Sequence, residues 1–362
     1  MSKNINMEKI KTSKKDIDIL ADIYFHAVFG EKISHEDLER FKWYGIYAQD
    51  IEQNLFTVKI PLNLGKLNIE QLKTISAISE KFTQDTIFFS SEQKVEFKNL
   101  KIHNIPEIFN LLNQVNLNTF FEAGHTVRRV LTCPVNGIDS TQIYDVEDLA
   151  TKLNETFVGN KNFSNLPNKL DIAISGYIEG CDVGFIPDVS FNATKDLKEK
   201  IVFSVNILDS QIGFISPSQL INTTRAIANI YKDFGNREEI EKSTFEYLIK
   251  DLGFDGFFNI LNSMIDYKIQ KSINIIKEEN PRKPRFGINK SKIEGKSYIG
   301  CRIKENKISS KNLTTLSNLL EKYEATNIKI THKGNLIILD VPSLNAEILA
   351  DELVKINFNP FI

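Results

Sequence analysis

Apolar residues along this chain fall into two stretches that repeat one pattern. Phe56-Thr-Val-Lys-Ile-Pro reads as a strand and Gly65-Lys66-Leu67 as a turn. Leu72, Ile75, Ile78 and Phe82 then mark one helix face, and Thr86-Ile-Phe-Phe reads as a second strand. The same order returns as Tyr298-Ile-Gly-Cys-Arg-Ile, Asn306-Lys307-Ile308, a helix face of Leu313, Leu316, Leu319 and Tyr323, and Asn327-Ile-Lys-Ile. The register is constant from the turn onward: Leu67 aligns with Ile308, Leu72 with Leu313, Phe82 with Tyr323 and Ile87 with Ile328. Two copies of one βαβ unit are too few for a solenoid and predict a pseudo-twofold assembly with the copies side by side.

Other periodic segments fill the chain around these copies. Ile17, Leu20, Ala21, Tyr24, Ala27 and Val28 predict a helix over 13–29 with that face inward, Ser13 as its cap and Gly30 as its end. Ser34 stands three residues before Asp37, a capping box that starts a second short helix, and Phe41-Lys-Trp-Tyr-Gly45 reads as an aromatic helix end packed on a core. Residues 116–275 predict a mixed α/β region. It has a helix from Asp145, strands over 170–176 and 201–208, a helix opened by Ser216-Pro217, and another over 237–251. Glu279-Asn-Pro-Arg-Lys-Pro-Arg-Phe reads as the linker to the second copy.

Composition narrows the function classes. The 362 residues are 41% hydrophobic and 25% charged, which suits a globular chain of two or three domains. A net charge of −2 gives no support for nucleic acid or a membrane surface as partner. Cys133, Cys181 and Cys301 are too few and too far apart for a disulfide framework or a zinc site. The polar N-terminus lacks a signal core, and no apolar run reaches the roughly 18 residues of a membrane span. A cytoplasmic location is the expectation.

The strongest chemical signal is the segment 121–138. Val127, Val130 and Leu131 surround two adjacent arginines, Arg128 and Arg129, and Cys133-Pro134 with Asn136-Gly137 closes the segment. An arginine fork suits planar oxyanions and carboxylates; the alternative is a half-buried strand whose arginine pairs with a carboxylate. The segment resembles the sirohaem-binding motif of the nitrite/sulfite reductase family, G-D-x-x-R-N-[VI]-x-x-C-P-x-x-G. Gly124, Arg128, Val130, Cys133, Pro134 and Gly137 match it, while His125 and Arg129 replace the Asp and Asn. Arg40, Phe41, Lys42 and Gly45 similarly match an R-F-K-x-x-G segment of the family's nitrite reductases.

This resemblance implies an α+β fold, with two ferredoxin-like βαβ half-domain repeats flanking a mixed α/β sirohaem-type domain. The expected divisions are N-terminal helices at 1–42, half-domains at 43–115 and 276–362, and the sirohaem-type domain at 116–275. It implies an oxidoreductase that uses sirohaem and a [4Fe–4S] cluster for the six-electron reduction of nitrite or sulfite. The implied partners are a small anionic substrate and reduced ferredoxin or a second reductase subunit. The resemblance assigns Arg128 and Lys169 as catalytic, and Gln93, Arg128, Arg129 and Lys169 as cofactor-binding.

Several positions depart from the family. Its T-R-Q-N strand reads Ser91-Glu92-Gln93-Lys94 here, and its L-P-R-K-F-K strand reads Leu166-Pro167-Asn168-Lys169-Leu170-Asp171. Glu92 and Asp171 therefore stand where cations are expected. At an effective dielectric of 20, one unit pair at 4 Å is worth about 4 kcal/mol, so two reversals weaken an anion site unless the acids pair with Arg128 or Lys169. The family's C-x5-C and C-x3-C cluster ligands find no match in the chain, which ends at Ile362. Two readings stay open: a reductase completed by a further C-terminal part or partner chain, and a degenerate, non-catalytic member that serves as a partner subunit or binds a tetrapyrrole or other small ligand.

Overall fold

The computed structural model describes residue 10 and residues 13–120, 124–178, 185–276 and 285–361. Cys181, most of the expected linker and the first three residues of the 121–138 segment lie outside the described residues. The chain divides into two compact units. One holds Asp16–Phe120, Gly137–Ser140 and Asn280–Ile362; the other holds Met1–Lys15, Phe121–Asn136 and Thr141–Glu279.

In the first unit, helix α1 (Asp16–Phe29) begins later than its periodicity predicts, and Ser13 does not cap it: its hydroxyl donates back to the Ile10 carbonyl at 2.8 Å. Gly30 ends it as expected, with φ at 65° and its N–H on the His26 carbonyl. The face is a correction. Ile19, Ile23 and His26 are buried, while Ile17 is 66% and Val28 75% exposed. This helix is apolar on two sides, so spacing alone does not choose; the buried side meets α2 (His35–Phe41), where the His26 and Phe41 rings lie edge to face at 5.9 Å. Ser34 caps α2 by accepting the Asp37 N–H, as the spacing predicts. Phe41 and Trp43 then enter the core, and Gly45 turns with φ at 70°, where a Cβ would meet the Lys59 carbonyl at 2.6 Å.

The first copy follows: β1 (Ile46–Asp50), β2 (Leu55–Pro61), β3 (Lys66–Asn68), α3 (Ile69–Phe82), β4 (Ile87–Phe89), β5 (Lys94–Lys101) and α4 (Ile105–Gln114). Asn68 and Gln71 cap α3 reciprocally, which fixes where the turn becomes helix. Leu72, Ile75 and Ile78 form its buried face, as their spacing predicts.

The second unit is built on a five-stranded sheet of order β10-β9-β8-β7-β6. Its strands are β6 (Leu131–Thr132), β7 (Ile172–Ser175), β8 (Val189–Lys195), β9 (Ile201–Ile207) and β10 (Ser210–Ile215), and its helices α5 (Glu147–Phe157), α6 (Leu220–Phe234) and α7 (Phe245–Ser263). The three strands β6, β7 and β8 run parallel, and β8, β9 and β10 antiparallel. The helix expected over 237–251 instead starts at Phe245, because Thr244 supplies the cap by accepting the Tyr247 N–H, and it runs on to Ser263 across a kink at Gly253, where φ is 68°. Helices α6 and α7 join through the T-shaped contact of Tyr231 and Phe245, 5.3 Å between centroids.

The second copy repeats the first element by element: β11 (Gly287–Lys290), β12 (Lys296–Cys301), β13 (Lys307–Ile308), α8 (Ser310–Lys322), β14 (Asn327–Ile330), β15 (Leu336–Pro342) and α9 (Ala346–Lys355). One constant offset carries Ile46 onto Gly287 and Gln114 onto Lys355. Even the left-handed residues correspond: Leu64 with Glu305, Asn99 with Asp340, and Asn116 with Asn357. The copies do more than lie side by side. The two sheets have the orders β1-β2-β5-β4-β13 and β11-β12-β15-β14-β3, so each copy lends its short strand to the other's sheet. Leu67 pairs with Ile328, and Ile308 with Ile87.

A glycine and an amide have also exchanged places. Gly65 faces Gln93 in the first copy, where a Cβ would come within 2.9 Å of the Gln93 amide. In the second copy Gly334 faces Asn306, within 2.3 Å. Across the helix pair, the Ser76 hydroxyl donates to the Ser310 carbonyl at 2.6 Å and meets the Thr314 hydroxyl at 2.7 Å. Ser76→Ala is expected to lower stability by about 1 kcal/mol, because it leaves a buried carbonyl short of a donor. A urea melt showing an unchanged midpoint would refute that.

Candidate functional site

The arginine segment is held in place mostly by its backbone. The Arg128 N–H donates to the Leu170 carbonyl at 2.9 Å and the Leu170 N–H to the Thr126 carbonyl at 3.1 Å, with Val127 bridged to Leu170 in parallel. Opposite, the side chain of Asn154 on α5 accepts the Val130 N–H at 2.9 Å. Val127 and Val130 are buried, so the chain is gripped on both sides of the arginines. Only Leu131–Thr132 forms regular strand, after which Cys133 is buried and Gly137 turns with φ at 86°.

Arg128 is half-buried. Its Nη1 donates to Thr126 Oγ1 at 2.9 Å, which fixes the plane of the guanidinium. Its Nε–H is buried and has no hydrogen-bond acceptor among the described residues. A buried, charged donor without a partner is costly, and an oxyanion is the natural group to satisfy it. Arg129 beside it is also half-buried. His125 closes the start of the segment, its Nδ1 3.1 Å from the Leu166 carbonyl.

Lys169 lies next to Leu170, which carries the Arg128 backbone, so the fold brings these two cations onto neighbouring segments of one unit. Its Nζ is 2.7 Å from Asp171 Oδ2. The Asp171 N–H in turn donates to Asp188 Oδ2 at 2.8 Å. Burial, the nearby Asp171 charge and Glu246 push the Asp188 carboxyl up to about 7, against the opposing pull of the Asp171 N–H and Lys169. Tyr231 is pushed up as well, by burial and then by Asp188, while its hydroxyl donates to the Ser243 carbonyl at 2.6 Å.

Gln93 belongs to the repeat unit. It is 2% exposed, and its amide donates to the Ile330 carbonyl at 2.9 Å. Glu92 beside it holds Lys94 at 2.6 Å. Both acids that stand at expected cation positions are therefore neutralised by a neighbouring lysine. Sequence reasoning did not single out Thr126, which fills a variable position of the motif, nor Asn154 and Asp188, which lie in no motif and become neighbours of the site only through α5 and the sheet.

The comparisons with known proteins agree with this architecture. Residues 123–268 match the family described as nitrite and sulphite reductase 4Fe-4S domain, and residues 49–115 the nitrite/sulfite reductase ferredoxin-like half domain. The chain belongs to the nitrite/sulfite reductase family. Among its relatives, the chloroplastic ferredoxin–nitrite reductase of Arabidopsis thaliana is 25% identical over 99% of this chain and 66% of that protein. The sulfite reductase [ferredoxin] of Mycobacterium tuberculosis is 26% identical over 96% of this chain and 66% of its own. The solved structure of the Mycobacterium tuberculosis NirA protein shares the fold, with a TM-score of 0.88 at 22% identity, covering 100% of this chain and 71% of that one. This family member thus has the expected α+β fold with ferredoxin-like half-domains, and it spans about two thirds of the length of the curated relatives it matches.

The family implies sirohaem and a [4Fe–4S] cluster. The open Nε–H of Arg128 fits a carboxylate or oxyanion ligand. Cys133 and Cys301 are buried, and burial pushes the Cys301 thiol up, away from the thiolate a cluster needs. Among the described residues, no group of three or more His, Cys, Asp or Glu side chains is arranged to hold a metal ion.

Proposed function

We propose that this chain is the part of a ferredoxin-dependent nitrite or sulfite reductase that binds sirohaem and the oxyanion, with Arg128 as the oxyanion-binding residue. The carrying observation is a buried Nε–H without an acceptor among the described residues, on a guanidinium whose plane Thr126 already fixes. When bound, sirohaem supplies the redox centre. The chain's own residues do the rest. Arg128 offers a fixed donor to the anion, and Arg129 and Lys169 add positive charge on the adjoining backbone. Gln93 remains a cofactor-binding candidate by family resemblance. Asp188, with its carboxyl at about 7, is able to take up and release a proton near neutral pH beside the Lys169–Asp171 pair. Residues 116–275 form the sirohaem-type domain in this reading, residues 43–115 and 276–362 the half-domains, and the protein works in the cytoplasm. Among the described residues, no helix is long and apolar enough to cross a membrane.

Expression in a host that makes sirohaem tests the proposal. Wild-type protein is expected to purify with a haem-like absorption band that shifts on adding nitrite or sulfite. Arg128→Gln should weaken the shift at least tenfold, in line with a lost charge-assisted bond. An unchanged titration in the variant would refute the role of Arg128. A second reading is a partner subunit or ligand binder without turnover, favoured by the engagement of Lys169 and Lys94 by Asp171 and Glu92. Turnover with a reduced viologen separates the two.

A further inference from the structure

The second copy bears a groove of about 1140 Å³ that the sequence motif does not point to. Arg302, Lys304, Lys307 and Lys333 line it, against one carboxylate among the described lining residues, Glu305. Lys307 sits 3.1 Å from Glu305, and its hydrogen bond, with its own charge and that of Lys304, holds the Glu305 carboxyl below the ordinary range. Arg302 and Lys304 make no ion pair among the described residues. The Arg302 backbone exchanges hydrogen bonds with Asn359 in both directions, at 2.9 and 3.2 Å, so its exposed guanidinium stands on a fixed base.

The first copy serves as an internal control. It builds the same framework with Pro61 in place of Arg302, Asn63 in place of Lys304, Gly65 in place of Asn306 and Glu92 in place of Lys333. The fold therefore does not require these cations. Leu64, left-handed and 4% exposed, has an exposed, left-handed counterpart in Glu305. The same turn is an apolar, buried element in one copy and a charged, solvated one in the other. Asparagine amides, Asn306 and Asn357 among them, fill out the polar wall. An arginine fork, several ammonium groups and neutral amides together suit a ligand with more than one oxyanion group, because each further group gains from the same fixed field.

We propose that this groove binds a small multivalent oxyanion, a polyphosphate or a polycarboxylate. The site lies in the repeat unit and does not depend on the reading of Arg128, which belongs to the other unit. The full chain is titrated calorimetrically with tripolyphosphate and, separately, with citrate at about 50 mM salt, where charges are weakly screened. Saturable binding is expected, and the tighter of the two probes identifies the oxyanion class. Arg302→Gln with Lys304→Gln should weaken binding at least tenfold, while Lys66→Gln in the first copy leaves it unchanged. Both substituted positions of the double variant are exposed, so the fold is expected to survive, and a thermal melt of each variant checks this. The proposal is overturned if sodium chloride at matched ionic strength reproduces the effect of both probes, or if the double variant binds like wild type.

Discussion

Asp188→Asn should make the protein more stable at pH 8 by up to about 4 kcal/mol and leave its stability at pH 4 nearly unchanged. The Asp188 carboxyl is raised from 3.8 to about 7, and each tenfold gain in its affinity for the proton is worth about 1.4 kcal/mol. The sign follows from which state holds the proton. Between about pH 4 and pH 7 the unfolded chain has released a proton that the folded chain retains, so stability falls as pH rises through that window. Above it, the cost of a buried carboxylate near Asp171 and Glu246, eased by Lys169, is constant. Asparagine still accepts the Asp171 N–H but carries no charge to bury. Urea melts of both proteins from pH 4 to pH 8 measure the effect, and parallel stability profiles would show that Asp188 is not the group responsible.

Gly176→Ala is expected to cost about 3 kcal/mol or more, well above the usual range for a single added methyl. Gly176 directly follows β7, and a Cβ there would lie 2.0 Å from the Tyr144 carbonyl. That carbonyl has little freedom to retreat. The N–H groups of Ile143 and Tyr144 both donate to the Gly176 carbonyl, at 2.8 and 3.3 Å, and so tie the two strands of chain together. Nearby, Asn136 donates to Asp145 and accepts the Val146 N–H, which links the overlap to the turn that closes the arginine segment. The expected result is a large fall in melting temperature with loss of soluble yield. Wild-type melting would mean that the loop at Tyr144 yields more easily than its hydrogen bonds imply.

The repeat was legible in the sequence because burial imposes one apolar register on both copies, as at Leu72 and Leu313. The exchange of β3 and β13 was not, since strands this short carry no sign of their partner. Helix α1 was legible but its buried face was not, because Ile17 and Val28 lie on one apolar side and Ile19 and Ile23 on another. The long helix at Phe245 starts later than its pattern suggests because the acidic run after Arg237 looks helical, whereas Thr244 supplies the cap that sets its start. At the candidate site, Arg128 and Lys169 were visible as motif residues. The pairing of Asp171 with Lys169 was one of the open alternatives, while Asp188 could be found only once the parallel strands β7 and β8 set their starts side by side.

The lent strands set a timetable for synthesis. Until residue 308 leaves the ribosome, β4 has no partner along the edge that β13 will cover, and β3 waits equally for β14. At roughly 5–20 residues per second, the interval between translating the first copy and the second is on the order of ten to fifty seconds. For that time the nascent chain presents an open β-edge, the kind of surface that recruits unrelated strands. The first copy should therefore depend on chaperone holding more than its length suggests, and a fragment stopped before the second copy should aggregate.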